Sequence, residues 1–371
     1  MEQNLRVPGP TPLPAAVREA QAGAMIDHRG SEFAEMLREV SSGIARLIAT
    51  DGRVLLLTGS GSGALEASVV NTCSPGDRVL SVSIGAFGER YAQIAEAFGA
   101  SVERLSFEWG EAADPQQLAA HLANTGPYHA VLLTHNETST GVANPLRELV
   151  EVVRTAQGEP LVLVDGISAL GAIPFEMDAW GIDLVTSASQ KAWMGSPGIA
   201  IVALGERAWA AAETSRMPRF YWDLAEAAAW AEKGQTPWTP AVSVLYGLRI
   251  GVRLLSEEGP KATWARHTRI ASEAQAGLEA LGMRLVAPPE RRSATVTAAW
   301  LPDGLDWSTF NSSMHARGLV IAGGQGKWAG RILRMGHMGQ VASEEIGDAL
   351  AVLGATLVEF GVRTDPVTAM R

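Results

Sequence analysis

The chain has 371 residues, of which 47% are hydrophobic and 19% are charged, and its formal net charge is −10. This length allows one large domain and a smaller one, each with its own core. The acidic balance argues against nucleic acid or an anionic membrane surface as the main partner, and no uncharged apolar run of about 18 residues predicts a membrane span.

Cysteine usage and the N-terminal sequence indicate the compartment. The single cysteine, Cys73, has no partner for an intramolecular disulfide, so we expect stability to come from packing. The opening residues, MEQNLRVPGPTPLP, contain no apolar segment typical of a secretory signal, and we expect a cytoplasmic protein. Their prolines exclude a helix interior, so residues 1–15 are predicted to form an extended arm laid on another part of the chain.

Residues 16–258 alternate between strand-like and helix-like segments. This alternation is typical of an α/β domain whose sheet is largely parallel and covered by helices. The predicted strands cover residues 53–59, 78–84, 100–107, 129–135, 160–166, 182–189 and 198–205. We therefore predict a large domain with a mostly parallel, seven-stranded sheet, completed by a helical stretch over 206–258.

Residues 259–371 are predicted to form a smaller α+β domain of normal size. Helical patterns cover 263–281, 307–318 and 343–361, and strand-like runs cover 283–288, 295–302, 319–324 and 331–337.

Chemically distinctive residues follow several of the predicted strands. Ser60, Gly61 and Ser62 follow the first strand, Asp165 closes the fifth, and Gln190 and Lys191 follow the sixth. In an open α/β sheet, ligands bind beyond the carboxyl ends of the strands. We therefore expect these residues to contribute to one site.

This set of residues matches the requirements of pyridoxal phosphate. The cofactor's aldehyde needs a lysine amine, and its pyridine nitrogen needs a buried carboxylate, so Lys191 and Asp165 are the candidates. Its phosphate needs backbone amides and hydroxyls at a helix N-terminus, which the loop from Ser60 to Ser62 offers. Taken alone, a lysine such as Lys191 is usually a surface residue, and a flexible turn is an alternative interpretation of the loop. The combination of Lys191 with Asp165 on neighbouring predicted strands favours the cofactor site.

Two further residues have alternative interpretations. Arg334, in the segment RILRMGH, would either grip a substrate carboxylate in bidentate fashion or form a surface ion pair. Phe87 would either stack on the cofactor ring or belong to the core.

The motifs together resemble those of the class V aminotransferases. The resemblance rests on VPGPTPLP, LTGSGSGALEASVVN, LTHNETSTGVANPL, the segment from Asp165 to Lys191, TPWTPAVSVLYGLR and RILRMGHMG, in the same order along nearly the whole chain. The alanine–glyoxylate and serine–pyruvate aminotransferases are the most similar group. The resemblance implies the PLP-dependent transferase fold type I and a homodimer with its site at the subunit boundary.

The resemblance also implies a role for individual residues. Lys191 would hold the cofactor's aldehyde as a Schiff base, Asp165 would pair with the pyridine nitrogen, and Arg334 would hold the substrate α-carboxylate. The remaining cofactor contacts would be Ser60, Gly61, Ser62 and Gln190 at the phosphate, Phe87 and Ile167 on the two ring faces, Thr138 at the phenolic oxygen, and Thr236 and Thr239 at the partner subunit's phosphate. Where the animal alanine–glyoxylate enzymes have tryptophan, histidine and tyrosine, this chain has Phe87, Ser62 and Thr236.

The implied reaction is a ping-pong transfer in which Lys191 moves a proton from the substrate Cα to the cofactor. The sequence offers one arginine, Arg334, to bind the substrate α-carboxylate and no evident second arginine for a distal carboxylate. This favours alanine or serine over aspartate as the amino donor. Glyoxylate or pyruvate would be the acceptor.

Four other functions have partial support in the sequence. A nicotinamide oxidoreductase would use the glycine pattern from Gly59 to Ala64, but the acidic residue that should close the next strand is missing. A cysteine desulfurase would need a mobile cysteine, and Cys73 lies far from the expected position. A binding protein with an inactive site is disfavoured by the presence of Lys191, Asp165 and Arg334. An aspartate or phosphoserine aminotransferase, or a lyase, stays open.

Overall fold

The computed structural model describes residues 3–362 and contains two main sheets. The strands are β1 (Asn4–Arg6), β2 (Arg53–Gly59), β3 (Arg78–Ser83), β4 (Ser101–Ser106), β5 (Ala130–Thr134), β6 (Asn136–Glu137), β7 (Val142–Ala143), β8 (Leu161–Asp165), β9 (Leu184–Ala188), β10 (Gly198–Leu204), β11 (Val296–Trp300), β12 (Leu319–Gly323) and β13 (Ile332–Gly336). The helices are α1 (Ala15–Gln21), α2 (Ser31–Leu47), α3 (Gly61–Thr72), α4 (Ala86–Ala97), α5 (Pro115–Thr125), α6 (Leu146–Arg154), α7 (Met177–Trp180), α8 (Glu206–Thr214), α9 (Leu224–Glu232), α10 (Val242–Glu258), α11 (Pro260–Ala280), α12 (Trp307–Ala316) and α13 (Ser343–Glu359).

The large sheet has seven strands in the order β2-β10-β9-β8-β5-β3-β4. Only β10 runs antiparallel to its neighbours, so the other six strands end at the same edge. In register, Asp165 lies opposite Thr134 on one side and Thr186 on the other. This topology confirms the predicted α/β fold with a mostly parallel seven-stranded sheet.

The central strands are apolar on both faces, and this explains their position in the sheet. In β5, Val131 and Leu133 join one hydrophobic cluster, whereas Ala130 and Leu132 join the cluster on the opposite face. Successive side chains of a strand point to opposite faces, so a continuous apolar run is stable only where helices cover both sides. The two clusters therefore fix the helical layers above and below the sheet.

The small sheet has the order β1-β12-β13-β11, with β13 in the centre. The predicted N-terminal arm supplies its edge strand: β1 pairs in parallel with β12, and Arg6 forms an ion pair with Glu345 of α13. No sequence pattern predicts this strand, because three residues are too few to show periodicity. Residues 1–2 of the arm and 363–371 of the predicted second domain lie outside the described residues, and the division at residue 259 stays a prediction.

The predicted strand over 283–288 is wrong. Only Leu285 forms an isolated bridge, opposite Ala299, and Pro288 and Pro289 follow it directly. Proline has no amide hydrogen to continue a ladder, so the segment ends as a short edge contact. Within residues 3–362, no helix has both the length and the apolar character needed to cross a membrane.

Candidate active site

Lys191 lies in the tight loop that connects the antiparallel strands β9 and β10. Hydrogen bonds from the Gly195 amide to the Ser189 carbonyl (2.9 Å) and from the Ser189 amide to the Ile199 carbonyl (3.0 Å) close this loop. The half-buried Lys191 Nζ donates to the carbonyl oxygen of Pro8, 2.7 Å away. Burial lowers the pKa of Lys191 to about 8, and the nearby Asp165 opposes that shift. The lysine therefore has a larger neutral fraction near neutral pH than a surface lysine.

Asp165 ends β8 and is 3% exposed. Its Oδ1 accepts a hydrogen bond from the Ile167 amide (2.9 Å), and no cation in residues 3–362 lies within ion-pair distance. Burial raises the pKa of Asp165 to about 7, and the negative charge of Glu137 adds to the shift. A buried carboxyl group without a cationic partner is suited to a positively charged ligand atom.

The loop from Ser60 to Ser62 forms the N-terminus of α3. The Ser60 side chain caps the helix by accepting from the Gly63 amide (3.4 Å). The first-turn amides of a helix have no partner within the helix and carry its positive dipole end. A Cβ on Gly61 would come within 2.8 Å of the Ile167 Cδ1, so this loop and Ile167 are in direct contact. The arrangement offers amides and hydroxyls to an anion.

Glu137 connects the polar loop after β5 to the N-terminus of α4. Its Oε2 accepts from the amides of Phe87 (3.0 Å) and Gly88 (3.2 Å), and its Oε1 accepts from the amide (3.0 Å) and hydroxyl (2.6 Å) of Ser139. The Ser139 hydroxyl in turn accepts from the Ala86 amide (3.0 Å). A loop distant in sequence thus caps the helix that carries Phe87.

A hydrogen bond joins Arg334 of the small sheet to Thr138, in the turn between β6 and β7. Arg334, in the inner strand β13, is 5% exposed, and it donates from Nη1 to the Thr138 carbonyl (3.1 Å) and from Nε to the Gly323 carbonyl (2.8 Å). Burial lowers the pKa of Arg334 to about 10. No carboxylate of the described chain pairs with it, so the expected surface ion pair is absent from this part of the protein. The Thr138 hydroxyl donates to the Ser168 hydroxyl (2.8 Å).

Three predicted site residues remain: Gln190, Thr236 and Thr239. Gln190 precedes Lys191, and its buried Oε1 has no hydrogen-bond partner among residues 3–362. Thr236 donates to the Trp238 carbonyl (2.8 Å), while Thr239 is exposed, and no side-chain hydrogen bond within residues 3–362 joins either threonine to the other predicted site residues. The structure therefore brings the other predicted residues to one sheet edge but leaves Thr236 and Thr239 apart from them.

Three contributors were missed in the sequence. Glu137 lies in the polar segment HNETST. A run of polar residues directly after a buried strand indicates a buried polar network, and this signal could have identified Glu137. Arg90 lies one helical turn after Phe87, and its guanidinium stacks on that ring, 4.8 Å from the ring centroid. Gly9 lies against Lys191, since a Cβ there would come within 2.6 Å of Lys191 Nζ. The Gly9 contact depends on tertiary folding that no local pattern encodes.

The donor set fits pyridoxal phosphate. It contains an amine with a lowered pKa, a buried carboxyl group without a cation, and first-turn amides of α3 that have no partner within the helix. These are the groups that the aldehyde, ring nitrogen and phosphate of the cofactor require. In residues 3–362, no group of three His, Cys, Asp or Glu side chains could hold a metal ion.

Comparison with known proteins gives a consistent result. The family model described as aminotransferase class-V matches residues 16–336. A protein named soluble hydrogenase small subunit, from Synechococcus sp., is 38% identical over 96% of this chain and 93% of its own length. An L-aspartate–glyoxylate aminotransferase from Paracoccus denitrificans is 34% identical over 95% of this chain and 89% of its own. The crystal structure of an alanine–glyoxylate aminotransferase from Nostoc sp. superposes with a TM-score of 0.92 at 30% identity, covering 96% of each chain.

Proposed function

The chain belongs to the class-V aminotransferase family and is a transaminase with pyridoxal phosphate as cofactor, and on this premise we propose that it transfers an amino group from alanine or serine to glyoxylate or pyruvate. One observation carries the proposal: Asp165 ends β8 and Lys191 follows the neighbouring β9, and both Asp165 and the Arg334 guanidinium act electrostatically on the Lys191 amine. They are the three charged groups that binding the cofactor and an amino acid substrate requires.

We assign the cofactor contacts as follows. Lys191 attaches to the aldehyde, and the ionised Asp165 stabilises the protonated ring nitrogen. Phe87 and Ile167 flank the ring, and Thr138 lies at the phenolic oxygen. The phosphate is bound by Ser60, Gly61, Ser62 and Gln190, with Thr236 and Thr239 contributed by a second subunit. The Ile167–Gly61 contact and the Glu137 bridge between Phe87 and the Thr138 loop support this arrangement.

Each residue of the site then has a defined task in the reaction. When bound, pyridoxal phosphate supplies the electron sink that makes the substrate Cα–H acidic. Arg334 binds the α-carboxylate of the donor and fixes its Cα relative to the sheet edge. With the cofactor bound, Lys191 Nζ would be the group that accepts the substrate Cα proton and returns it, which its lowered pKa favours. The Asp165 carboxylate would stabilise positive charge on the ring nitrogen.

Glyoxylate is the acceptor named for both the Paracoccus relative and the Nostoc structure, whereas their named donors are aspartate and alanine. A single buried arginine, Arg334, is sufficient for an α-carboxylate. A donor without a second carboxylate therefore fits the described site, and alanine or serine is our proposed donor.

We also propose that the enzyme is a cytoplasmic homodimer. An aromatic patch of Phe220, Tyr221 and Trp238 lies on the surface, with the Phe220 side chain 76% exposed and its ring 4.8 Å from that of Trp238. The Tyr221 hydroxyl donates to the Thr58 carbonyl (3.2 Å), which places the patch beside the proposed phosphate loop. A second copy covering this patch would bring its Thr236 and Thr239 to that loop, and burial of the exposed aromatic surface would stabilise the pair.

The oligomer assignment is tested by replacing Phe220 with serine and measuring mass by sedimentation equilibrium. We expect a dimer for the unmodified protein and dissociation of the Phe220→Ser variant, with Val358→Ser, at another exposed apolar position, on α13, as the control that stays dimeric. A monomeric unmodified protein would contradict the homodimer.

The reaction is tested by a half-reaction screen. Purified holoenzyme is mixed with alanine, serine or aspartate, and conversion of the cofactor's visible absorption band to that of the pyridoxamine form is followed. We expect conversion with alanine or serine and its reversal by glyoxylate. Conversion with aspartate alone would contradict the proposed donor, and no conversion with any amino acid would contradict the transaminase assignment.

A further inference from the structure

Arg90 is an arginine of α4 whose charge has no partner in the described chain. Its two acidic helix neighbours are engaged elsewhere, since Glu89 and Glu96 both pair with Arg104. The contacts of Arg90 are with the Ser62 hydroxyl, 3.4 Å from Nη1, and with the Phe87 ring. Residues 3–362 supply no carboxylate within ion-pair distance of it. An unpaired arginine held against a polar loop is suited to bind an anion.

The two contacts of Arg90 direct its guanidinium toward the N-terminus of α3. Phe87 and Arg90 are three residues apart on one helix, so their side chains lie on the same face. Stacking on the aromatic ring holds the guanidinium near Ser62, although the side chain is exposed. The Arg90 charge also acts on Lys191 and Asp165. It lowers the pKa of both groups, and this effect is smaller than those of burial and of the other charges that act on them.

The proposed phosphate loop lacks a formal positive charge of its own. Ser60, Gly61 and Ser62 offer hydroxyls, amides and the partial charge of a helix dipole, whereas a phosphate ester near neutral pH carries close to two negative charges. Arginine is the side chain that pairs best with phosphate, because its planar fork donates two parallel hydrogen bonds. The guanidinium beside Ser62 would balance that charge.

We propose that Arg90 is the cation of the cofactor-phosphate site, acting together with the loop from Ser60 to Ser62. The inference rests on the proposed function, because it takes that loop as the phosphate-binding element. It adds a charged residue to a site for which the sequence provided only neutral groups.

The test compares ligands that differ only in the phosphate. Apo-protein is titrated calorimetrically with pyridoxamine 5′-phosphate and with pyridoxamine, which bind without forming a covalent bond to lysine. We expect Arg90→Gln to weaken binding of pyridoxamine 5′-phosphate about tenfold and to leave pyridoxamine unchanged. The loss should shrink at high salt, because exposed charges are screened, and Arg90→Lys should recover part of it. Arg38→Gln, which removes an exposed arginine from α2, is the charge-matched control and should bind both ligands normally.

Other outcomes overturn the inference. Equal weakening of both ligands would mean that Arg90 acts through the Phe87 ring and not through the phosphate. Unchanged binding of both ligands, together with a raised KM for aspartate but not for alanine, would mean that Arg90 binds a distal substrate carboxylate. If the unmodified protein bound neither ligand, the proposed function itself would fail, and that result differs from a failure confined to Arg90→Gln.

Discussion

At the scale of single residues, burial has opposite effects on the two central groups. It lowers the pKa of Lys191 to about 8 and raises that of Asp165 to about 7, because both charged forms lose solvation. The neutral amine is the form that attacks an aldehyde and accepts a proton, so activity depends on how far the site has lowered the lysine pKa. This dependence gives a prediction for pH.

We expect the rate of cofactor attachment to apo-protein to rise about tenfold per pH unit below pH 8 and to level off above it, as Lys191 loses its proton. Asp165 raises the pKa of Lys191, so Asp165→Asn should move the midpoint to lower pH. Stopped-flow absorbance across pH 6 to 10 measures both curves. A midpoint near the value of a surface lysine, unchanged in Asp165→Asn, would contradict the electrostatic description.

Glu137 provides a second prediction, because all four of its hydrogen-bond partners act as donors. In Glu137→Gln an N–H₂ group replaces an oxygen that accepts two of these four hydrogen bonds, so at least one buried backbone N–H loses its acceptor. We expect the free energy of unfolding to fall by about 1–3 kcal/mol and the affinity for pyridoxamine 5′-phosphate to fall as well, since the Phe87 amide and the Thr138 loop lose their common anchor.

Urea denaturation and calorimetric titration measure these two effects. Glu96→Gln is the matched control, because Glu96 is an exposed residue of the same region whose only partner is Arg104, and both quantities should change little. An unaltered cofactor affinity in a destabilised Glu137→Gln variant would show that Glu137 supports the fold but does not position the site.

At the scale of elements, the sequence was most informative where apolar runs are long and buried on both faces. All seven strands of the large sheet lie within two residues of their predicted ends, because runs such as LVLVD and AVLLT can only be covered strands. The order of the strands and the antiparallel direction of β10 are not contained in such local patterns. Strand β1, the failed strand near Pro288 and the Glu137 cap depend on distant partners, and a single sequence does not reveal those.

The same limit applies to the site. Lys191, Asp165 and Arg334 could be singled out because strand ends and residue chemistry are visible in a sequence. Arg90 was not singled out because an arginine on an amphipathic helix has the pattern of a solvated surface residue.

The N-terminal arm gives a prediction at the element scale. Gly9 has a φ of +126°, and a Cβ there would approach Lys191 Nζ to 2.6 Å. Gly9→Ala should therefore displace either the arm or the lysine and slow cofactor attachment about tenfold or more, a loss typical of small misplacements at reactive groups. Gly76→Ala is the control, since Gly76 also has a positive φ but has open space around its Cβ position.

Cofactor attachment followed by absorbance, with thermal melting as a check of folding, distinguishes the two variants. Equal rates in Gly9→Ala and Gly76→Ala would contradict a role for the arm in placing the lysine.

At the scale of the whole molecule, buried histidines predict sensitivity to acid. Burial lowers the pKa of His135 and His267 to about 4 and that of His337 to about 3, from an ordinary value near 6.5. As the pH falls, these histidines therefore bind protons in the unfolded chain while they stay neutral in the folded chain. Their contribution is complete above pH 6.5 and is lost progressively as the pH falls toward 4, at about 1.4 kcal/mol per pH unit for each histidine.

Urea midpoints between pH 4 and 8 test this expectation. Because burial raises the pKa of Asp165, that carboxyl group contributes in the opposite direction, and the histidine effect is measured by comparison with a variant. The difference in unfolding free energy between the unmodified protein and His267→Gln should fall by about 1.4 kcal/mol per pH unit between pH 6.5 and 4. A difference that does not change with pH would contradict the buried, uncharged state of His267.

The most direct test of the account as a whole is to identify the residue that carries the cofactor. The sequence has four lysines, and Lys233, Lys261 and Lys327 are exposed, so the assignment is unambiguous. Holoenzyme is reduced with borohydride and digested, and the peptides are analysed by mass spectrometry. We predict that the pyridoxyl group is found on Lys191 alone and that Lys191→Ala remains unlabelled. A label on any other lysine would contradict the site described above. So would the absence of a label on Lys191 in enzyme whose visible absorption shows full loading with cofactor.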